Sequence, residues 1–281
     1  MRIMLTKTLS NGVKMPQVGL GVYKMTDETE AIEAITTALE VGYRAIDTAT
    51  LYANEEEVGK AIKSSSVPRE EIFITTKVWN TEQGYDETLR AFEKSLNLLG
   101  LDYLDSYLVH WPVPGKFTET YKAIERLYEE KLIRVPGVSN HHEEHLLELE
   151  KTANIKPLIN QIECHPRLQQ NDLITFCKER EIAVTAWGPL GRGRILPDKN
   201  LTKLAQKYNK TAAQLILRWH LDRDTIIIPK SVTPSRIKEN FDVFDFTLEK
   251  ADMEEIAHYE SNGRTGANSS EPDFMRHFEG M

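Results

Sequence analysis

Eight short β-branched runs, separated by stretches of helical periodicity, constrain the fold of this chain more than any other feature. The runs are Gln17 to Tyr23, Ala45 to Ala49, Ile72 to Val78, Leu104 to His110, Ile133 to Ser139, Leu158 to Glu163, Ala183 to Trp187 and Thr225 to Lys230. Between them apolar residues recur at the spacing of one helix face, as in Ile32, Ile35 and Leu39, in Leu89, Phe92, Leu96 and Leu99, and in Tyr121, Ile124, Leu127 and Tyr128. Such alternation builds a parallel sheet covered by helices. Eight units without a break in composition fit a closed (β/α)8 TIM barrel, expected here as one domain, 1–281. A doubly wound sheet is the alternative, but Gly19-Leu20-Gly21 carries only half of a GxGxxG fingerprint.

Elements outside the repeat follow from turn and cap chemistry. Leu9-Ser10-Asn11-Gly12-Val13 predicts a β-hairpin in which Asn-Gly supplies two positive φ angles, placed as an N-terminal plug at the barrel end opposite the active site. Asn54 with Glu57 predicts a capping box. Helices are expected over Thr211 to Leu221 and Pro234 to Asn240, an extra C-terminal helix over Leu248 to Tyr259, and a Gly-, Asn- and Ser-rich tail over Ser261 to Met281 running as a loop.

A net charge of −8 argues against a nucleic-acid surface, which needs a basic face, but leaves room for a local basic pocket for one anionic ligand. Met1 to Asn11 holds no apolar core of signal-peptide length and no run reaches the ~18 apolar residues of a membrane span, so a cytoplasmic protein with no membrane partner is expected. Cys164 and Cys177 stand outside any CxxC pair and read as reduced, packed thiols. His141-His142-Glu143-Glu144-His145 lacks HExxH spacing. It reads as an acidic first helical turn with exposed imidazoles, and no metal is expected. No heptad seam is present, which predicts a monomer.

The chemistry lies where the runs end. In a barrel, functional side chains sit at the C-terminal edge of the strands. Three consecutive runs carry Asp47, Lys77 and His110 near their ends, and Tyr52 follows five residues after Asp47. Each alone reads as a solvated edge, an ion pair or packing; together they suit hydride addition to a carbonyl. The developing alkoxide needs a proton, and an ammonium beside a phenol favours the phenolate and makes Tyr52 a better acid. Asp47 can orient Lys77, and His110 can donate a hydrogen bond to the carbonyl oxygen. Tyr23, Trp79, Trp111 and Phe274 are placed to line a substrate pocket above them.

Over roughly Leu9 to Phe274 the sequence resembles the aldo-keto reductase family. The resemblance is carried by Gly42-Tyr43-Arg44-Ala45-Ile46-Asp47-Thr48-Ala49, Tyr52 with Asn54-Glu55, Thr76-Lys77-Val78-Trp79 and Val109-His110-Trp111-Pro112. It continues through Gly137-Val138-Ser139-Asn140, Asn160-Gln161-Ile162-Glu163-Cys164-His165-Pro166, Ala186-Trp187-Gly188-Pro189-Leu190-Gly191, and Ile228-Pro229-Lys230-Ser231 with Arg236-Ile237-Lys238-Glu239-Asn240. It implies a TIM barrel binding NADPH or NADP+ without a Rossmann domain, a small-molecule carbonyl substrate, and the tetrad Asp47, Tyr52, Lys77 and His110. It further implies Ser139, Asn140 and Gln161 at the carboxamide, and Trp187 against the nicotinamide with Gly188 and Leu190 of its motif in the cofactor site. Lys230, Ser231 and Arg236 would meet the 2′-phosphate, with Glu239 and Asn240 at the adenine. The loop after Trp187 looks most like that of the microbial branch containing 2,5-diketo-gluconate and methylglyoxal reductases. Pro136 and His141 depart from the family pattern beside the carboxamide site. Two other functions remain open at this point: a non-catalytic cofactor-binding regulatory subunit on the same barrel, and an aldolase-like barrel with Lys77 as a Schiff-base lysine.

Overall fold

The computed structural model describes residues 5–279; residues 1–4 and 280–281, and with them both ends of the expected 1–281 domain, lie outside the described residues. A hairpin of β1 (Thr6–Thr8) and β2 (Lys14–Pro16) precedes β3 (Leu20–Gly21), β4 (Ala45–Asp47), β5 (Phe73–Val78), β6 (Leu104–Val109), β7 (Ile133–Ser139), β8 (Ile159–Glu163), β9 (Ala183–Trp187) and β10 (Ile226–Ile227). From β3 to β10 each strand pairs in parallel with the next in sequence. The sheet closes between its ends: Gly19 N donates to Ile227 O at 2.8 Å, Ile227 N to Gln17 O at 2.9 Å and Gly21 N to Pro229 O at 3.2 Å. A Cβ on Gly21 would stand 2.8 Å from Ile228 O, so the half-fingerprint Gly19-Leu20-Gly21 serves close approach at the barrel seam.

At that seam the runs expected over Gln17 to Tyr23 and Thr225 to Lys230 shorten to two-residue strands joined by isolated bridges, Val18 to Ile227 and Gly21 to Lys230. Pro229 has no N–H to extend the ladder. The central strands β5 and β6 are buried at every position, as expected for a parallel sheet between a filled interior and a helical layer. That layer comprises α1 (Glu28–Val41), α2 (Glu55–Ser64), α3 (Tyr85–Leu99), α4 (Phe117–Glu129), α5 (Glu143–Thr152), α6 (Asn171–Glu179), α7 (Lys199–Gln206), α8 (Ala212–Asp222), α9 (Pro234–Phe241) and α10 (Lys250–Ala257). None of the helices among the described residues is long and apolar enough to cross a membrane.

Leu9 and Met15 of the hairpin region pack on Ala45, Phe73, Ile159, Ala183 and Ile226 at the strand starts, closing the N-terminal end. Its turn differs from expectation, because only Gly12 takes a positive φ, +84°. Asn11 instead accepts Val13 N at 3.1 Å and donates to Arg134 O at 3.0 Å, so the five-residue loop needs one left-handed position rather than two.

Three further expectations are corrected. Asn54 forms no capping box at α2. Its amide donates to Val22 O (2.9 Å) and Met25 O (3.1 Å), and its carbonyl accepts the Thr48 hydroxyl at 2.7 Å, tying the β3 and β4 exits together. The imidazoles before α5 are not exposed: His141 is fully buried against Phe117, and His142 N donates to His145 Nδ1 at 3.1 Å. The tail, described to Glu279, is not wholly a loop, since Phe274–Phe278 form a 3₁₀ turn.

Candidate active site

Asp47 ends β4, Lys77 stands one residue before the end of β5, and His110 directly follows β6. The 3₁₀ turn Thr50–Tyr52 brings Tyr52 back over the same rim, fixed by the Thr50 hydroxyl donating to Lys77 O at 3.0 Å. Lys77 is completely buried, and its ammonium has three acceptors: Asp47 Oδ1 at 2.5 Å, Thr48 O at 2.8 Å and the Tyr52 hydroxyl at 3.4 Å. His110 meets Tyr52 and Trp79 edge-on, at centroid separations of 5.9 and 5.1 Å. Its Nδ1 is buried without a partner among the described residues.

The charges at this rim are set by burial and by one another. Burial lowers the Lys77 pKa, but Asp47 and Tyr52 outweigh it and the net shift is upward, so the group stays an ammonium. Burial also raises the Tyr52 pKa. The Lys77 charge acts downward, the sign expected from the sequence, yet in this state burial dominates and the net shift is up. Burial first, and the Lys77 charge second, hold His110 well below the ordinary imidazole value, so the ring is neutral at physiological pH.

The carboxamide candidates form one hydrogen-bonded strip across β7, β8 and β9. The Ser139 hydroxyl donates to Gln161 O at 2.8 Å, and Gln161 Nε2 donates to Asp47 Oδ2 at 2.6 Å. Asn140 stands at φ +59°, a conformation that Asn tolerates; its amide donates to His110 O at 3.0 Å and its carbonyl accepts Trp187 Nε1 at 2.8 Å. The indole N–H of Trp187 is thereby tied to Asn140, and the Arg192 guanidinium lies 5.7 Å from its ring centroid. Gly188 (φ +57°) turns the chain away from β9, with Leu190 packed below it on the core. Pro136 and His141 leave this strip intact. The β7–β8 register starts after Pro136, at Gly137 with Ile159, and His141 O accepts Asn160 Nδ2 at 2.7 Å.

At the far side of the rim, Lys230 and Arg236 are exposed with no carboxylate within ion-pair distance among the described residues. They flank the N-terminus of α9, where Thr233 makes no side-chain cap and its N–H is held by the Ser231 hydroxyl at 3.2 Å. Unneutralised cations at an uncapped helix start fit an anion such as a phosphate. Asn240 is buried near the end of α9, while Glu239 is engaged by the Thr211 hydroxyl at 2.7 Å.

Apolar walls close the opening. Trp79, Trp111, Ala267 and Phe274 form one cluster, with Leu51, Met275 and Phe278 against it; Tyr23 packs tilted against Tyr52, with centroids 5.0 Å apart, and is 38% exposed. The sequence reading missed Phe278, 4.9 Å from Trp111, because its place depends on the path of the tail. It also assigned no role to Glu163, whose buried carboxylate holds that tail.

Comparison with known proteins gives the family and the fold. The aldo/keto reductase family profile matches residues 17–260. Glyoxal reductase of Bacillus subtilis is 52% identical over 95% of this chain and 96% of its own length. Methylglyoxal reductase of Salmonella typhimurium is 49% identical over 92% of this chain and 94% of its own. Among solved structures, a mutant of Gox0644 in complex with NADPH superposes with a TM-score of 0.91 at 44% identity, covering 96% of this chain and 98% of that one.

Proposed function

The chain belongs to the aldo/keto reductase family, and on that footing we propose that it reduces small aldehydes and ketones, α-dicarbonyls such as methylglyoxal among them, to alcohols with NADPH, Tyr52 being the proton donor. The observation that carries this reading is the buried Lys77 ammonium, held between Asp47 at 2.5 Å and the Tyr52 hydroxyl at 3.4 Å. NADPH supplies the hydride when bound; Lys230, Ser231 and Arg236 would hold its 2′-phosphate, Glu239 and Asn240 its adenine, Ser139, Asn140 and Gln161 its carboxamide, and Trp187, with Gly188 and Leu190 behind it, its nicotinamide face.

As the carbonyl oxygen becomes an alkoxide, Tyr52 gives it the hydroxyl proton, and the adjacent ammonium stabilises the phenolate left behind. Asp47 keeps Lys77 charged and aimed. His110, neutral, orients the carbonyl by a hydrogen bond without competing for the proton. Tyr23, Trp79 and Trp111 favour a small, partly apolar substrate. A Schiff-base role for Lys77 needs a free amine, whereas this one is an ammonium with three acceptors. We read the protein as one domain acting as a monomer; a light-scattering mass of twice the chain at micromolar concentration contradicts that.

The test is a panel of aldehydes, ketones and α-dicarbonyls, followed by loss of reduced-nicotinamide absorbance. NADPH oxidation with at least one class is expected, and none with any class overturns the assignment. Arg236→Ala should weaken NADPH binding by about ten- to hundred-fold, the worth of one charge-assisted hydrogen bond, and leave NADH nearly unchanged. Equal shifts for both cofactors would remove the phosphate site from α9.

A further inference from the structure

Glu163 ends β8 beside Trp187, its partner in the β8–β9 register, and no step proposed above uses it. Its carboxylate is almost completely buried, which is unfavourable for a charge unless hydrogen bonds replace water. Here they do, and most come from a distant part of the chain. Oε1 accepts Thr265 N at 2.8 Å and the Thr265 hydroxyl at 2.5 Å, and Oε2 accepts Gly266 N at 3.0 Å. His165 Nε2 lies 3.1 Å from Oε1. Although burial pushes the carboxyl pKa up, these bonds bring the net shift below the ordinary value, which keeps the group ionised.

The segment so held covers the rim. A Cβ on Gly266 would stand 2.6 Å from Trp187 Cη2, so the backbone there lies directly on the indole. Three residues on, the Ser269 hydroxyl donates to Asn140 O at 2.5 Å, and beyond it Phe274 and Phe278 pack on Trp111. Before it, Gly263 N donates to Arg167 O at 2.7 Å. The tail is thus pinned on one side by Arg167 and on the other by Asn140, with the Glu163 carboxylate between them.

We infer that Glu163 is a positioning residue for carbonyl reduction: its carboxylate latches Thr265 and Gly266 so that the tail forms a roof over Trp187 and brings Ala267, Phe274 and Phe278 onto the substrate. The inference deepens the reductase reading and rests on it. The carboxylate touches neither substrate nor cofactor. It sets how well the small substrate is enclosed, and leaves the Tyr52 proton and the Lys77 charge unaltered. Loss of the latch therefore acts on KM for the carbonyl far more than on kcat.

Glu163→Gln and Thr265→Val in the full-length protein test this, the second keeping the carboxylate and removing one of its hydrogen-bond donors. Two readouts are taken: steady-state kinetics with methylglyoxal and NADPH, and the rate of tryptic cleavage after Arg264, which needs no turnover. Glu163→Gln should raise the methylglyoxal KM by about ten-fold or more with kcat within about three-fold, and speed cleavage after Arg264 by at least about ten-fold. Thr265→Val should move both in the same direction by less. Unchanged KM and cleavage in both variants overturns the latch, as does a fall in kcat at constant KM. If Glu163→Gln does not fold, Thr265→Val decides alone by the same criteria. A wild type that reduces no carbonyl, while Glu163→Gln still frees the tail, refutes the reductase reading and keeps the latch; normal reduction by a variant with unaltered KM and tail protection does the reverse.

Discussion

The two ends of the barrel each bury a carboxylate against a cation, and they differ in what remains open around the pair. At the N-terminal end Asp105, near the start of β6, accepts Ile74 N at 2.9 Å and Arg69 at 2.8 Å on one oxygen and Arg134 at 2.7 Å on the other. Both arginines reach solvent, and this end of the barrel is closed by the strand starts and the hairpin region. At the C-terminal end the Lys77–Asp47 pair faces Tyr52 and His110, whose hydroxyl and ring nitrogens are not fully committed to the fold. A buried ion pair is thus no mark of chemistry by itself; an incompletely satisfied phenol and imidazole beside one are.

Breaking the upper pair should give the largest effect. Lys77→Met removes the ammonium that faces Tyr52 and should lower kcat by at least about 10²-fold, the lower end of what general acid catalysis contributes. Asp47→Asn keeps the Lys77 nitrogen beside Tyr52 but removes the strongest of the influences that hold it as an ammonium, so kcat should fall less than in Lys77→Met, with Gln161 as a remaining contact of the side chain. If Asp47→Asn proves far worse in steady-state kinetics, the order of roles at this rim is wrong. Breaking the lower pair sharpens the contrast in the other direction. Asp105→Ala should cost about 1–3 kcal/mol of stability in urea unfolding, below the usual figure for a buried pair because both arginines can return to water, with kcat unchanged. A loss of kcat without loss of stability would erase the distinction between the two ends.

How much of this contrast is legible in the sequence depends on the range of the interactions. Strand periodicity places Asp47, Lys77 and His110 on one rim, because three consecutive parallel strands share a C-terminal edge whatever their exact ends. The same reasoning is blind to contacts across long separations. Glu163 closes its strand as Asp47 does, but its partners Thr265 and Gly266 lie about a hundred residues on, in a stretch whose composition gives no period. Asn54 shows the opposite failure. Its local spacing spells a cap, and tertiary carbonyls at Val22 and Met25 take its amide instead. The acidic neighbours of His141 predict an exposed ring, yet it sits one residue before the helix cap and is fully buried.

Buried neutral histidines set a smaller effect, spread through the wall and the rim. Burial holds His141 and His220 at about 3, and holds His110 well below its ordinary value. The unfolded chain takes up these protons near pH 6.5 and the native one does not, so stability falls as pH drops below about 6.5 toward the folded pKa values. Each group contributes a slope of at most about 1.4 kcal/mol per pH unit in that window. Urea midpoints should therefore decline from pH 7 to pH 5, and His141→Asn should flatten the decline. Across the same range His110 adds no inflection to kcat/KM, whereas an imidazolium at the rim would produce one.

The most direct test is Tyr52→Phe, measured for both turnover and stability. The hydroxyl has one long hydrogen bond, at 3.4 Å to Lys77, so its removal should shift the urea midpoint by no more than about 1 kcal/mol. NADPH affinity should stay at the wild-type value, and kcat for methylglyoxal should fall by about 10²–10⁴-fold. A variant that binds NADPH normally and turns over at a near-normal rate would contradict the assignment of Tyr52 as the acid, and with it the claim that the open rim is where this barrel does its chemistry.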